Sequence, residues 1–228
     1  MCNNGVCEGR YCRTQIAEVG TLGLEFQALS YALKNNSFAR MINITSNGIL
    51  DMPKWDGLVT RKLYADRKQF IDGSDVHTGP GIDSYYEYLL KMWVQSNFKA
   101  TRFKNAYSEA IDGIYKHLTQ KVVVDTKTFW LVGNRAQNMT FLKEIHHLSC
   151  FLPGTLALGY HYGLPKWHLK FAEELAATCY YMYQSQPTGL APESVLFDSR
   201  GLSTLESSNN LRYNNVFNSF AMPLYLHS

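Results

Sequence analysis

The chain has 228 residues, of which 46% are hydrophobic, and its 22 basic and 19 acidic residues leave a net charge of +3. This composition supports one substantial core, either as one domain or as a large piece of one, and argues against disorder. The basic residues are spread without a Lys/Arg cluster, which excludes nucleic acid as an expected partner. No apolar run has the length of a signal peptide or a membrane span, so membrane association would require an N-terminal anchor outside this sequence.

Cysteines and glycosylation sequons favour a protein of the secretory pathway over a cytosolic one. The sequence has an odd count of five cysteines. Its N-x-S/T sequons begin at Asn35, Asn43 and Asn138. The first three cysteines are spaced five apart, which is not a common zinc spacing, so we predict an irregular leader over residues 1–15 without a ligand role. These cysteines are Cys2, Cys7 and Cys12.

Apolar periodicity predicts a first helix near the N-terminus. Its apolar face comprises Leu22, Phe26, Leu29 and Leu33. A polar break over residues 34–37 follows. Residues 51–71 contain short apolar runs broken by proline, glycine and charged pairs, which predicts an irregular loop or a small hairpin.

Two further segments have helical periodicity and are predicted to form an antiparallel helix pair. In the first, Tyr85, Leu89 and Met92 share a face, with Tyr88 alongside. In the second, the shared face comprises Tyr107, Ala110, Ile111, Ile114 and Leu118. Residues 122–132 are β-branched and aromatic, which favours a short strand or hairpin.

Another helix pair is predicted after residue 150. A buried helix begins at Pro153, and Pro165 opens its partner. The apolar face of the partner comprises His168, Phe171, Ala172, Leu175, Cys179 and Met182. Cys150 and Cys179 lie on opposite members of this pair, where a disulfide would stabilise the fold by about 3 to 4 kcal/mol. Two buried thiols are the alternative.

Four polar residues recur at intervals of 65, 64 and 65, each just before or at the start of a predicted helix. They are Glu18, Asp83, His147 and Arg212. A helix, loop and helix repeated at this length predict a closed or curved α/α toroid, with these helix starts around one rim. Chance spacing is the alternative, because the units share little residue identity.

Asp83 and Glu87 lie four residues apart on a predicted helix, so they share one face. One interpretation is a capping box, with Ser84 as the N-cap, Glu87 reaching back and Asp83 as a favourable anion near the helix start. The other is chemical: Asp83 orients a water or a substrate hydroxyl, while Glu87 supports a hard cation.

Three other polar residues also have two interpretations. His146 and His147 stand beside an apolar run, where a histidine is more often a hydrogen-bonded structural group than a metal ligand, and no partner stands at zinc spacing. Glu193 follows Pro192 in a loop, where it is by default a solvated carboxylate or a helix-start charge.

Four segments, in this order, resemble class I α-1,2-mannosidases, glycoside hydrolase family 47. They are AEVGTLGLEF at 17–26, IDSYYEYLLKMWVQ at 82–95, HHLSCFLPGTLALG at 146–159 and TGLAPE at 188–193. The resemblance implies an all-α fold, an incomplete (α/α)7 barrel with about three helical hairpins and short β-hairpin insertions. We therefore predict a leader over 1–15, a partial catalytic domain over 16–198 and a divergent tail over 199–228.

The resemblance also implies a reaction, the hydrolysis with inversion of terminal α-1,2-linked mannose from high-mannose N-glycans of glycoproteins. Asp83 matches the family's catalytic aspartate. A Ca²⁺ would touch hydroxyls of the bound sugar, with Glu87 and Glu193 acting through calcium-bound water. Further matches are Glu18, Arg212 and the histidine of the motif D-H-L-x-C-F, His147, at the active site, and Cys150 with Cys179 as the disulfide. The CFLPG form favours the endoplasmic-reticulum branch, in the endoplasmic reticulum or Golgi.

Departures from the family pattern concern the site itself. Gly81 stands where that branch usually has an arginine that contacts substrate. Asn214 replaces a catalytic glutamate and Phe217 the next acidic residue, and an amide cannot act as a general base. The upstream acidic residue and the C-terminal Thr-Glu that anchors calcium are absent from this sequence. We therefore expect a glycosidase of this family represented by a truncated chain, whose activity these departures put in question. The alternative is a non-hydrolytic mannose-recognition protein of glycoprotein quality control and ER-associated degradation.

Overall fold

The structure is a computed structural model that describes residues 2–3, 6–7, 13–71, 73, 75–124, 126–136, 138–198 and 201–204. Arg212, Asn214 and Phe217, on which part of the sequence interpretation depends, lie outside the described residues. No helix within these ranges is long and apolar enough to cross a membrane.

Helices account for most of the architecture. The α-helices are α1 (Ile16–Val19), α2 (Gly23–Ala32), α3 (Ser37–Asp51), α4 (Asp83–Gln95), α5 (Thr101–Gly113), α6 (Leu152–His161) and α7 (Trp167–Gln184). A π-helical turn, Ile114–Leu118, extends α5, and a 3-10 helix, His147–Phe151, leads into α6. Pro153 lies in the first turn of α6, where its missing N–H removes no helical hydrogen bond.

These helices form three hairpins, α2 with α3, α4 with α5 and α6 with α7. The first members of the hairpins lie side by side, because α2 packs on α4 and α4 packs on α6, while α3 packs on α5. The result is an arc with an inner and an outer layer of helices. The prediction of an all-α fold with about three helical hairpins is therefore confirmed.

The main core lies between the two layers of the arc. Its largest fully buried side chains include Tyr86, Tyr107, Phe171, Leu90 and Ile111. The faces predicted for α4, the α5 segment and α7 are the ones that pack into it, although Tyr88 and Cys179 are only partly buried. Periodicity therefore identified the buried side of these three helices correctly.

Short antiparallel strands decorate the arc. They are β1 (Cys2–Asn3), β2 (Val6–Cys7), β3 (Arg13–Gln15), β4 (Lys62–Tyr64), β5 (Gln69–Phe70), β6 (Thr119–Val124), β7 (Lys127–Val132), β8 (Asn134–Arg135), β9 (Phe141–Leu142), β10 (Glu144–His146), β11 (Ser194–Asp198) and β12 (Gly201–Thr204). The β4–β5 and β6–β7 hairpins confirm the predictions for residues 51–71 and 122–132. Within residues 1–15, β1 pairs with β2 and β3 pairs with β4.

The two three-stranded sheets precede different helices. β3, β4 and β5 form a three-stranded sheet that carries the chain into α1. β10, β11 and β12 form another, whose first strand ends directly before the 3-10 helix. A second hydrophobic cluster, which includes Leu131, Ile145, Met182 and Val195, joins this sheet to α7 and to β6–β7.

The apolar face predicted for α2 is exposed instead of buried. The helix forms, but Leu22, Leu29 and Leu33 are 44%, 39% and 58% exposed. Phe26 packs edge-on against Phe38 of α3, with 6.2 Å between ring centroids. The reason is position, because α2 lies at the end of the arc with α3 and α4 as its packing partners.

Candidate active site

The polar residues predicted to share a rim do converge at the starts of the inner helices. Glu18 lies in α1, Asp83 is the first residue of α4, and His147 is the first residue of the 3-10 helix. Backbone hydrogen bonds tie these starts to their neighbours: Ala17 N–H donates to Gly81 O over 3.1 Å, and His147 N–H donates to Glu193 O over 2.7 Å. Since α4 also packs on α1 and on the 3-10 helix, three of the four evenly spaced residues lie on adjacent elements, and we call this edge the rim.

Asp83 is half-buried at this rim. Its Oδ1 accepts a hydrogen bond from the N–H of Ser84 over 2.9 Å. Burial raises the pKa of the Asp83 carboxyl group and Glu87 adds to the rise, whereas the Ser84 N–H opposes it. A carboxyl group whose ionisation is disfavoured in this way is suited to holding or accepting a proton in a reaction.

The capping-box interpretation is wrong. Ile82, not Ser84, precedes α4, and no side chain caps the helix. The Ser84 hydroxyl instead donates to Ala17 O over 3.5 Å, which links α4 to α1. Glu87 does not reach back, because its carboxylate forms an ion pair with Lys91 one turn further along the helix. Lys91 thereby offsets part of the repulsion between Glu87 and Asp83.

A buried histidine that sequence interpretation missed lies beside Asp83. His77 is 2% exposed and uses both ring nitrogens: Nε2 lies 3.1 Å from Asp75 Oδ2, and Nδ1 accepts the N–H of Gly79 over 3.0 Å. The hydrogen bond from His77 lowers the pKa of Asp75 to about 2. The only sequence signals for this arrangement are the alternation Asp-x-His-x-Gly and its position just before α4.

His146 packs next to His77, with 5.4 Å between ring centroids. Its Nε2 lies 3.2 Å from the Asn134 amide nitrogen, and its Nδ1 lies 2.7 Å from Ser194 Oγ. Because an amide N–H can only donate, Nε2 accepts and the proton is placed on Nδ1. Burial lowers the pKa of His146, against a rise caused by Glu144.

His147 points to a different partner. Its Nε2 hydrogen-bonds the hydroxyl of Tyr183 at the end of α7, and burial lowers the pKa of His147. Both histidines are thus hydrogen-bonded, as expected for structural groups beside an apolar run. The hydrogen bond to Tyr183 fixes the orientation of the His147 ring. His147 lies at the helix start that the spacing of the four polar residues predicted.

Glu18 and Glu193 are exposed. Thr14 Oγ1 donates to Glu18 Oε2 over 3.4 Å, and Glu193 lies in the loop before β11, as predicted. Among the described residues, no hydrogen bond or ion pair joins the side chains of Asp83, Glu18 and Glu193. These three carboxylates are therefore not bonded to one another.

A metal site is not formed by the described part of the chain alone. Within it, no three His, Cys, Asp or Glu side chains are grouped so that they could hold an ion. Glu87 faces Lys91 and Glu193 faces solvent. These residues therefore do not provide the carboxylate cage that a directly bound Ca²⁺ requires.

Gly81 has a local structural reason to be glycine. Its φ of +84° lies in the left-handed region, and an added Cβ would lie 2.3 Å from Gln15 Oε1 and 2.8 Å from Arg61 Cγ and Cδ. The Arg61 side chain from the loop before β4 thus fills the space beside Gly81. A longer residue at position 81 would have to displace it.

Cys150 and Cys179 form a disulfide, with 5.9 Å between their Cα atoms. The bond joins the 3-10 helix at the rim to the middle of α7. The alternative of two buried thiols is therefore wrong. Since the 3-10 helix begins at His147, this covalent link anchors the rim segment to the outer layer.

The three sequon asparagines are exposed. In two of them, the asparagine Oδ1 accepts the N–H of the sequon's own Ser or Thr: Asn35 from Ser37 over 3.0 Å and Asn138 from Thr140 over 3.1 Å. Asn43 lies within α3 and accepts from Gln27 Nε2 over 2.7 Å. Their glycosylation stays a prediction.

Comparison with known proteins gives a consistent result. The family model of glycosyl hydrolase family 47 matches residues 3–221. The human endoplasmic reticulum mannosyl-oligosaccharide 1,2-alpha-mannosidase is 39% identical over 184 residues, which are 80% of this chain and 26% of the human protein. The Arabidopsis thaliana mannosyl-oligosaccharide 1,2-alpha-mannosidase MNS3 is 34% identical over 202 residues, covering 81% of this chain and 32% of that protein.

A solved structure extends the comparison to the fold. The alpha-1,2-mannosidase from Trichoderma reesei superposes with a TM-score of 0.76 at 22% identity, over 85% of this chain and 40% of that one. The arc of three hairpins is therefore part of an (α/α)7 barrel. The chain spans about a quarter to a third of the length of the human and Arabidopsis relatives. On the match of nearly its whole length to the family model, the chain belongs to glycosyl hydrolase family 47.

Proposed function

We propose that this chain contributes to a glycosidase site that hydrolyses terminal α-1,2-linked mannose from high-mannose N-glycans of glycoproteins, with inversion. One observation carries the proposal: Asp83 is half-buried at the start of an inner helix, with a raised pKa, on a rim that also presents Glu18, His147 and Glu193. Family membership and the names of the human and Arabidopsis relatives support the reaction class.

The residues at the rim have distinct proposed roles. Inverting glycosidases use two carboxyl groups separated widely enough to admit a water molecule. Asp83 is the proposed catalytic carboxyl group, because burial already favours its protonated form. Glu18, His147, Glu193 and Arg212 are proposed to contact or orient the sugar, and residues 16–198 are proposed to be the catalytic unit. Exposed carboxylates suit hydrogen bonding to sugar hydroxyls.

The family resemblance is the only support for a calcium site. Glu87 and Glu193 are proposed to meet a calcium-bound water shell, and a bound Ca²⁺ would supply contacts to the sugar hydroxyls. The described residues do not fit a direct ion site, since none of their potential ligands are grouped.

A second candidate function is mannose recognition without hydrolysis, in glycoprotein quality control and ER-associated degradation. The observation in its favour is Asn214, which stands where the family motif has a catalytic glutamate. An amide cannot take a proton from water, so the rim would bind a glycan that it does not cleave.

We place the protein in the lumen of the endoplasmic reticulum or Golgi. The Cys150–Cys179 disulfide supports an oxidising compartment, since such bonds are rare where thiols are kept reduced. The human relative is named as an endoplasmic reticulum enzyme, which supports the first of the two locations.

The test is a paired assay of the purified 228-residue chain with a fluorescently labelled high-mannose N-glycan. Mannose release is followed by chromatography and binding by fluorescence anisotropy, with and without a calcium chelator. We expect Asp83→Asn to lower release by about 100-fold or more, because a positioned acid or base contributes about 10² to 10⁴. Asp66→Asn, the same change at an exposed turn between β4 and β5, is the matched control.

The outcomes separate the two functions. Release that falls with Asp83→Asn but not with Asp66→Asn supports the hydrolase. Binding without release by the unmodified chain overturns hydrolysis and supports recognition. If the chain neither binds the glycan nor releases mannose, both proposals are contradicted.

A further inference from the structure

We infer that His77 is a positioning residue for Asp83: held by Asp75, its ring fixes the 77–79 turn from which α4 and the Asp83 carboxyl group begin. The inference rests on the proposed function in taking Asp83 as the reacting group. The arrangement itself consists of contacts among described residues.

Both nitrogens of the His77 ring are committed. Nδ1 accepts the N–H of Gly79, so it carries no proton, and Nε2–H donates to Asp75 Oδ2 over 3.1 Å. The ring is therefore held as the neutral Nε2–H tautomer. At 2% exposure it is sealed from solvent, which rules out direct contact with a sugar and leaves no nitrogen for a metal.

Gly79 transmits this constraint to the helix. Its N–H is fixed by His77, and its C=O accepts the N–H groups of Ile82 over 3.2 Å and Asp83 over 3.1 Å. One peptide unit on each side of Gly79 thus connects the histidine ring to the first turn of α4. A shift of the His77 ring would move the acceptor that places the Asp83 backbone.

His146 also packs against this turn. A Cβ at Gly79 would lie 2.7 Å from both Cβ and Cδ2 of His146, so the two residues are already in van der Waals contact. His146 is itself fixed by Asn134 and Ser194. Two oriented imidazole rings therefore contact this turn.

The electrostatic surroundings agree with a role at Asp83. The hydrogen bond from His77 lowers the pKa of Asp75, while burial and Glu87 raise the pKa of Asp83. Among the described residues, the charged or titratable groups around this turn are Asp75, Asp83, Glu87, Arg61, Glu144, His146 and Glu193. Loss of the His77 ring is thus expected to alter both the geometry and the titration of Asp83.

The experiment uses NMR on the isotopically labelled full chain and compares two substitutions at one position. His77→Phe keeps an aromatic ring but provides no acceptor for the Gly79 N–H. His77→Asn restores an acceptor, because an asparagine side chain can bond the backbone N–H two residues on. Circular dichroism and thermal unfolding of each variant confirm that the fold is retained.

We expect His77→Phe to shift the titration midpoint of the Asp83 carboxyl group, followed by its side-chain ¹³C shift, because the turn that places this group loses a hydrogen bond. Hydrogen exchange at Gly79 should accelerate at least about fivefold, since a hydrogen bond is worth about 1 kcal/mol net. His77→Asn should return most of the exchange protection. A purely structural role would change overall stability without this selective recovery.

The unmodified chain provides an independent test that does not depend on variant folding. Imidazole ¹⁵N shifts must report the Nε2–H tautomer of His77; a proton on Nδ1 overturns the inference. So does a His77→Phe variant whose Asp83 titration and Gly79 exchange are unchanged. None of these measurements requires mannose release, so a failure of the hydrolase proposal is distinguishable from a failure of this one.

Discussion

The helix that follows the turn at residues 75–83 and the helix α2 both have a regular apolar face, but the environments of these two regions are opposite. Between residues 75 and 83, the buried His77 has a partner at each ring nitrogen, and the helix that follows packs its apolar face into the core. On α2, an equally regular apolar face is left exposed. Periodicity therefore determines which side chains share a face, whereas the position of the helix in the arc determines whether that face is covered.

The largest expected difference between the two regions is in the cost of removing a leucine. Leu90 on α4 is 0% exposed and Leu33 after α2 is 58% exposed. Leu90→Ala should lower the free energy of unfolding by about 2 to 5 kcal/mol through lost burial and a cavity. Leu33→Ala should change it by about 0.5 kcal/mol or less. Urea denaturation measures both, and equal effects would mean that the α2 face is covered in solution.

The Cys150–Cys179 disulfide is a covalent link at the rim, whereas the described residues of the α2–α3 hairpin contain none. Its removal tests how far the fold depends on this link. The bond closes a separation of 29 residues. Replacing both Cys150 and Cys179 by alanine should lower the free energy of unfolding by about 3 to 4 kcal/mol on the loop-entropy account. The check is urea denaturation of the variant beside the oxidised and the reduced parent chain. A variant as stable as the oxidised parent would contradict the prediction.

Two glycines provide a matched comparison of backbone constraint. Gly81 at the rim has φ +84° and a crowded Cβ position, whereas Gly48 in α3 has open space around it. Gly81→Ala should destabilise the protein by about 1 to 3 kcal/mol through strain and overlap. Gly48→Ala should stabilise it by about 0.5 to 1 kcal/mol through helix propensity. Thermal unfolding of both variants shows whether the signs are opposite.

The smallest expected effect is a pH dependence at the rim. Because the folded pKa of Asp75 is about 2, below its ordinary 3.8, its hydrogen bond from His77 contributes stability above pH 3.8 that is lost as the pH falls toward 2. Asp83 has the opposite sign: its raised pKa destabilises the fold when it is ionised, and this penalty disappears below pH 3.8.

Substitutions separate the two contributions. Asp75→Asn should flatten the decrease in stability between about pH 4 and pH 2, by less than about 1 kcal/mol because Asp75 is partly exposed. Asp83→Asn should be more stable than the parent at pH 7, and this difference should shrink on acidification. Asp66→Asn is the control for both, and a similar pH profile in all three variants would contradict the assignment of these shifts to the rim.

The local pattern of the sequence determined much of this protein: the α2 helix, the pairs α4–α5 and α6–α7, the buried faces on α4, α5 and α7, and the β4–β5 and β6–β7 hairpins. It did not indicate α3, and the count of about three hairpins came from the family resemblance. Residue identity in longer motifs indicated the family, the Cys150–Cys179 pair and Asp83. These features depend on neighbours within a few turns or on recognisable strings, both of which are present in the chain itself.

Only the tertiary structure decided the rest. Exposure of the α2 face follows from its place at the end of the arc, and the capping box fails because Lys91 and Ala17 offer Glu87 and Ser84 other partners. The Asp75–His77–Gly79 arrangement depends on burial against His146, more than sixty residues away in the chain. Burial and long-range hydrogen bonds arise only when distant segments pack together, so no local pattern could specify which polar groups would hold Asp83 in place.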